Sequence, residues 1–339
     1  MHRFAKFVAG CTVLLVLAGS LVTSTNSGLS VPDWPTTYGW NMFTFPPSKW
    51  VGGILYEHGH RLIASTVGFL TILLAVWLGV SDPRRWMKRL GAAALAAVIA
   101  QGVLGGLTVM FFLPPAISTA HAGLAEIFFC ITVAIALFTS PGWIEGGTGP
   151  VVDVVDVVDV VDDAGLRRLA TATTAVIYCQ ILVGATMRHT GAGLAIPDFP
   201  LMFGQLWPTH WDTKIAIHFT HRLGALLVLS AVTATSITVW RRYRAGGVHQ
   251  ELTRPAALLA ALVVVQIALG AMTVLTRRDV SINSVHVVCG ALVLATSLVL
   301  TLRTWRVKFA PYAVRLKPDA TAAVRSVRLQ ADGGTGAPA

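Results

Sequence analysis

Four histidines suggest what chemistry this chain could do. His60, His121, His221 and His286 each stand a turn or two inside a long apolar run, at similar depth from the same end. A neutral imidazole can give one ring nitrogen to a metal while a hydrogen bond holds the other. Two histidines from facing helices meet the axial needs of a haem iron, with the porphyrin between the helices. Any one of them alone reads equally well as a helix-to-helix hydrogen-bond partner. Matched pairs in the two halves of the chain point instead to bis-histidine ligation, His60 with His121 and His221 with His286.

The neighbouring residues extend the pattern. HGHRLIA (58–64) and HFTHRLGA (218–225) share the core His-Arg-Leu, which selects His60 and His221 as ligands over His58 and His218. His58 and His60 lie about 200° apart around a helix, so one face can use only one of them. His218 and His221 share a face but cannot both be axial ligands of one iron. Arg61 and Arg222 suit charge-assisted bonding to a haem propionate, with snorkelling to the interface as the alternative. Three residues before the ligand, the first half has Glu57 and the second has His218. Positions i and i+3 share a helix face, so Glu57 is expected over or beside the first-half porphyrin. There it would be a proton acceptor or, on the other reading, the partner of Arg61. This asymmetry suggests that one half does chemistry while the other holds a fixed cofactor.

The elements that must position these residues follow from composition. The 339-residue chain is 54% hydrophobic and 12% charged, with a mean hydropathy of +0.67. A soluble domain carries roughly a quarter charged residues. Apolar runs at 7–24, 59–80, 90–112, 116–139, 168–187, 214–240, 256–276 and 283–303 are each long enough to span a bilayer, which takes about 20 residues. The net charge of +10 does not indicate nucleic acid. Its Lys and Arg residues gather in alternate loops, the positive-inside pattern. That pattern puts both termini in the cytoplasm and the loops 25–56, 113–116, 188–213 and 277–282 outside, with Arg277 and Arg278 as the exception. Cys11, Cys130, Cys179 and Cys289 all fall inside the apolar runs and read as packing residues.

The chain also repeats itself. SGLSVPDWP (27–35) returns as AGLAIPDFP (192–200), an offset of 197 − 32 = 165 residues at the first Pro of each PDxP. QGVLGGLTV (101–109) returns as QIALGAMTV (266–274), and His121 returns as His286, at the same offset of 165. His60 returns as His221 at an offset of 161, which a four-residue change in the preceding loop explains. Gly19 falls on Gly184, so the first apolar run belongs to the repeat and is kept as a helix rather than read as a removed signal peptide. The fold expected is an all-α integral membrane protein with eight transmembrane helices, arranged as two pseudo-two-fold-related four-helix bundles. Its parts are an N-terminal bundle over 1–140 and a low-complexity cytoplasmic linker over 141–165. A C-terminal bundle over 166–308 and a disordered cytoplasmic tail over 309–339 complete it.

Together Glu57-x-x-His60-Arg61, His121 in HAGLAE, His221-Arg222, His286 and the two GLxxPDxP loops resemble the haem A synthase family, over nearly all of residues 7–305. The resemblance implies an oxidoreductase that converts the C8 methyl of haem O to a formyl group, giving haem A for terminal oxidases. It implies a haem b on His221 and His286, haem O as substrate at His60 and His121, and a catalytic role for Glu57. Many bacterial members carry a cysteine pair in an outer loop, which this sequence lacks. If both first-half histidines bind the substrate iron, no position on it stays open for O2. Either one of them leaves, or the methyl loses electrons and protons stepwise and water traps the cation, the favoured reading.

A di-haem membrane cytochrome b without substrate chemistry accounts equally for the four histidines, but not for Glu57 opposite His218. A transporter built on the repeat is disfavoured by the lack of a charged path to the cytoplasmic half. The expected setting is a bacterial cytoplasmic (inner) membrane. Haem O synthase, an electron acceptor and a second copy of the chain are candidate partners that the sequence does not decide among.

Overall fold

A computed structural model describes residues 1–144, 163–244 and 250–309. The Val-Val-Asp linker and the tail expected over 309–339 lie almost wholly outside them. Eight helices are long and apolar enough to cross a membrane. They are α1 (His2–Ser24), α2 (Gly53–Ser81), α3 (Arg85–Met110), α4 (Pro115–Phe138), α6 (Ala164–His189), α7 (Thr213–Tyr243), α8 (Gln250–Leu275) and α9 (Val280–Phe309). A four-residue helix, α5 (Pro141–Ile144), begins where the linker was expected, and α6 starts inside the linker's last residues. Asp163 caps that start by accepting the Leu166 N–H at 2.9 Å.

The first four long helices close on one another: α1 packs on α2 and α4, α2 on α3, and α3 on α4. Their shared core draws Val8 from α1, Leu74 and Leu78 from α2, Ala94 from α3 and Phe128 from α4. The second set does likewise, with Ile177 of α6, Val232 of α7, Leu259 of α8 and Leu294 of α9 in one core. Between the sets, Phe129 and Val133 of α4 meet Ala291 and Ala295 of α9, with Val13 and Val16 of α1 alongside. Of each helix's most apolar window, 56% is buried in α9 and 39% in α4, against at most 28% in the others. α4 also packs on α6, so α4, α6 and α9 form the seam between halves, and the less buried helices turn apolar side chains outward, as lipid-facing helices do. Contacts divide the chain at Trp305, and Met1–Trp305 contains both halves.

Among the described residues no strand forms; the outer loops carry only two isolated bridges, Thr37–Trp40 and Met202–Gln205. These bridges repeat at 202 − 37 = 165 residues. In each loop one aspartate closes the turn. Asp33 accepts the N–H groups of Tyr38 at 2.7 Å and Gly39 at 2.8 Å. Asp198 accepts those of Phe203 and Gly204, both at 2.8 Å. Gly39 and Gly204 both sit at φ +75°, where a Cβ would be strained.

Candidate functional site

Each of the four sequence-selected histidines lies on a glycine of the preceding helix. A Cβ built on Gly19 of α1 would come within 3.0 Å of the His60 ring, and one on Gly184 of α6 within 3.0 Å of His221. Gly105 of α3 and Gly270 of α8 meet His121 and His286 at 3.1 Å in the same way. A Cβ at such distances would require the imidazole to give by a few tenths of an ångström, so each glycine lets its ring lie close against the neighbouring helix. The rings of His60 and His121 lie within electrostatic reach of one another, as do those of His221 and His286. Both pairs expected from the sequence are thus brought together, one pair in each half.

Hydrogen bonding at the rings is incomplete. The Nδ1 atoms of His60, His121 and His286 are buried and have no partner. Gln101 Nε2 donates to the His121 carbonyl at 2.9 Å and approaches its ring nitrogen at 3.3 Å. Gln266 Nε2 stands 3.4 Å from the His286 ring. Gln180 donates to the His221 carbonyl at 2.7 Å and holds its Nδ1 at 3.0 Å. Orphaned ring nitrogens are costly in so apolar a setting unless something occupies them. Buried imidazoles brought within reach in two pairs, three of the four with an unpartnered ring nitrogen, fit a bis-histidine haem. Among the described residues no cluster of three or more His, Cys, Asp or Glu could hold a bare metal ion. The four cysteines are free.

The other expected site residues turn toward the loops. Arg61 donates to the carbonyls of Asp33 at 2.8 Å, Thr36 at 3.0 Å and Val31 at 3.0 Å. It also pairs with Glu57 at 2.7 Å. Arg222 donates to the carbonyls of Leu201 at 2.9 Å, Ile196 at 3.3 Å and Asp198 at 2.5 Å, and lies over the Phe199 ring. Backbone carbonyls in and beside the PDWP and PDFP segments are the partners these guanidiniums have within the chain. Glu57, 3% exposed, accepts the Val31 N–H at 2.8 Å through its second oxygen. Of its two sequence readings, partnership with Arg61 is the one the contacts display. His58 is fully buried, with Nδ1 3.2 Å from the Thr37 hydroxyl and its ring packed on Phe45 and Trp50. Trp34 lies across Gly106 of α3, where an added Cβ would be 2.5 Å from its ring.

Sequence reasoning missed the glycines and glutamines, although Gly19, Gly105, Gln101 and their counterparts at +165 all lie within the repeated segments. It also passed over Arg188 and His189 at the end of α6. His189 lies within electrostatic reach of His121, and Arg188 within reach of His286.

Comparison with known proteins agrees with this geometry. Residues 2–298 match the family model described as cytochrome oxidase assembly protein. A protein of Halalkalibacterium halodurans named "Heme A synthase" is 29% identical over 302 residues, 87% of this chain and 95% of that one. Proteins of the same name from Shouchella clausii and Symbiobacterium thermophilum are 31% identical over 291 residues and 30% over 262. These alignments cover 81% of this chain and 88% of the Shouchella protein, and 77% and 81% for the Symbiobacterium one. The repeated glycine-seated histidine pairs are thus set in a sequence that matches almost end to end, and the chain belongs to the haem A synthase family of cytochrome oxidase assembly proteins.

Proposed function

We propose that this chain is a haem A synthase, oxidising the C8 methyl of haem O to a formyl group. The observation that carries the reading is the pair of duplicated histidine sites, each ring seated on a glycine. His60 and His121 would hold the substrate, haem O. His221 and His286 would hold a resident haem b, which when bound supplies one-electron transfer. The deep setting of α4 and α9 would help keep water from both sites, and Trp34, packed on Gly106 next to Gly105, would cover the first.

Glu57 is proposed as the group that takes the proton released from the methyl. Arg61 and the Val31 N–H each occupy one of its oxygens. A carboxylate has about four lone-pair sites, so this orients the group and leaves acceptor capacity. Gln101, by gripping the His121 carbonyl and facing its ring, would fix that imidazole's orientation. The distribution of Lys and Arg supports a bacterial inner-membrane setting with both termini cytoplasmic.

The test is haem extraction and chromatography of the detergent-purified protein from cells that also make haem O. Haem A, or its hydroxylated precursor, should appear beside haem b. His60→Ala and His121→Ala should lose the haem A and keep haem b, whereas His221→Ala should lose haem b. Haem b alone, despite available haem O, would sink the synthase reading in favour of an electron-transfer cytochrome.

A further inference from the structure

Two arginines at the outer end of the second half have no counterpart in the first. Arg188 is one turn beyond Gly184 on α6, so it shares the face that carries the bare position beneath His221. Its Nη2 reaches across to α1, donating to the Ser20 carbonyl and the Ser24 hydroxyl, both at 2.8 Å. Its Nε is buried and has no partner. Arg278 lies in the turn between α8 and α9, with its Cδ 3.9 Å from where a Cβ of Gly193 would stand. The two guanidiniums are within electrostatic reach of each other, and Arg188 also reaches His286. Among the described residues neither pairs with a carboxylate. The adjacent acid, Asp279, is committed to the start of α9, accepting the N–H groups of Ser281 at 3.0 Å and Ile282 at 3.1 Å.

The first half has the same backbone and none of the charge. Leu113 stands where Arg278 does at an offset of 165, with φ +60° against +68°. Each N–H returns to a threonine carbonyl at 2.7 Å, Leu113 to Thr108 and Arg278 to Thr273. Leu113 packs on Gly28 as Arg278 packs on Gly193. Arg188 is replaced by Thr23, whose hydroxyl donates to the Gly19 carbonyl at 3.0 Å. Two neighbouring cations, one with an idle buried donor, call for an anion. The haem proposed for His221 and His286 would carry carboxylates.

We infer that Arg188 and Arg278 anchor the carboxylates of the haem held by His221 and His286, making it resident, while the first half, with Thr23 and Leu113 at the equivalent positions, lets its porphyrin exchange. This rests on the haem b assignment above. It also gives Arg278 a reason to stand in an outer loop against the positive-inside pattern.

The test uses full-length protein carrying His60→Ala, so that protohaem loads the second half alone, with haem transfer to excess apomyoglobin followed by absorbance. Arg188→Gln and Arg278→Gln should each speed transfer about ten-fold, the loss of roughly one charge-assisted bond. Protohaem dimethyl ester, which has no free carboxylate, should leave the arginine protein and the double variant at the same fast rate. Equal free-acid rates in all variants would overturn the anchor. So would an acceleration that persists undiminished with the diester, since it would report loosened packing of α6 on α1 or a displaced anionic lipid. Retention of the haem after His221→Ala and His286→Ala together would overturn the haem b assignment itself.

Discussion

The two outer loops are fastened to their ligand helices through equivalent backbone groups but by different side chains. In the first half the Val31 N–H is accepted by Glu57; in the second the Ile196 N–H, 165 residues on, is accepted by His218 Nδ1 at 3.2 Å. Both acceptors stand three residues before the ligand histidine. The latch is therefore common to both halves, and a neutral ring performs it adequately. A carboxylate in the first half is more than the latch requires, which is why the proton-accepting role is assigned there. The carboxylate in turn draws Arg61 inward: that side chain is 11% exposed and ion-paired, whereas Arg222 has no carboxylate at that position. The second half spends its extra polar groups on the ligand instead. Gln180 grips His221 across the bare Gly224, where the first half has Leu15 and Ile63.

Exchanging the latches should produce the largest effect. Glu57→His copies the second half, so the loop and haem b should persist while haem A formation falls by about a hundred-fold or more, the usual worth of a general base. Haem A output near that of the parent would remove Glu57 from the chemistry. Next comes the arginine pair. Arg61→Ala strands a buried carboxylate and should cost about 3–5 kcal/mol; Arg222→Ala leaves only loop carbonyls unpaired and should cost about 1–3 kcal/mol. Thermal unfolding in detergent would compare them, and equal losses would contradict the asymmetry.

The glycine seats should separate the halves at smaller cost. Gly19→Ala should disturb the substrate haem and leave the haem b spectrum intact, and Gly184→Ala should do the reverse, each with about 1–3 kcal/mol of overpacking. Both variants changing the same spectrum would refute two independent sites. The smallest effect concerns pH. Burial pushes the Asp33 carboxyl up, but the Gly39 N–H, the Thr36 hydroxyl and the Tyr38 N–H outweigh it and hold it below the ordinary range. Asp198 is likewise pushed up by burial and held low by Gly204 and Phe203. The stability each contributes is complete above the unfolded value of about 3.9 and is lost as pH falls through the lower folded value. Asp33→Asn and Asp198→Asn should therefore flatten the acid limb of a stability–pH profile, with little change near neutrality.

The sequence by itself determined the helices, the repeat and which histidines come together in pairs. Spans announce themselves through sustained hydropathy, and a duplicated frame sets His121 against His286 without coordinates. Tertiary structure alone decided what the side chains touch. Arg61 and Arg222 turn to loop carbonyls because the loops fold back over the helix ends, which no helical period encodes. The four glycines were visible as letters, yet their use depends on which neighbouring helix presents a ring to them. Arg188 crosses from α6 to α1 because α4 and α9 bring the two halves together along one seam, and packing between segments far apart in the chain is not written in the local pattern of either.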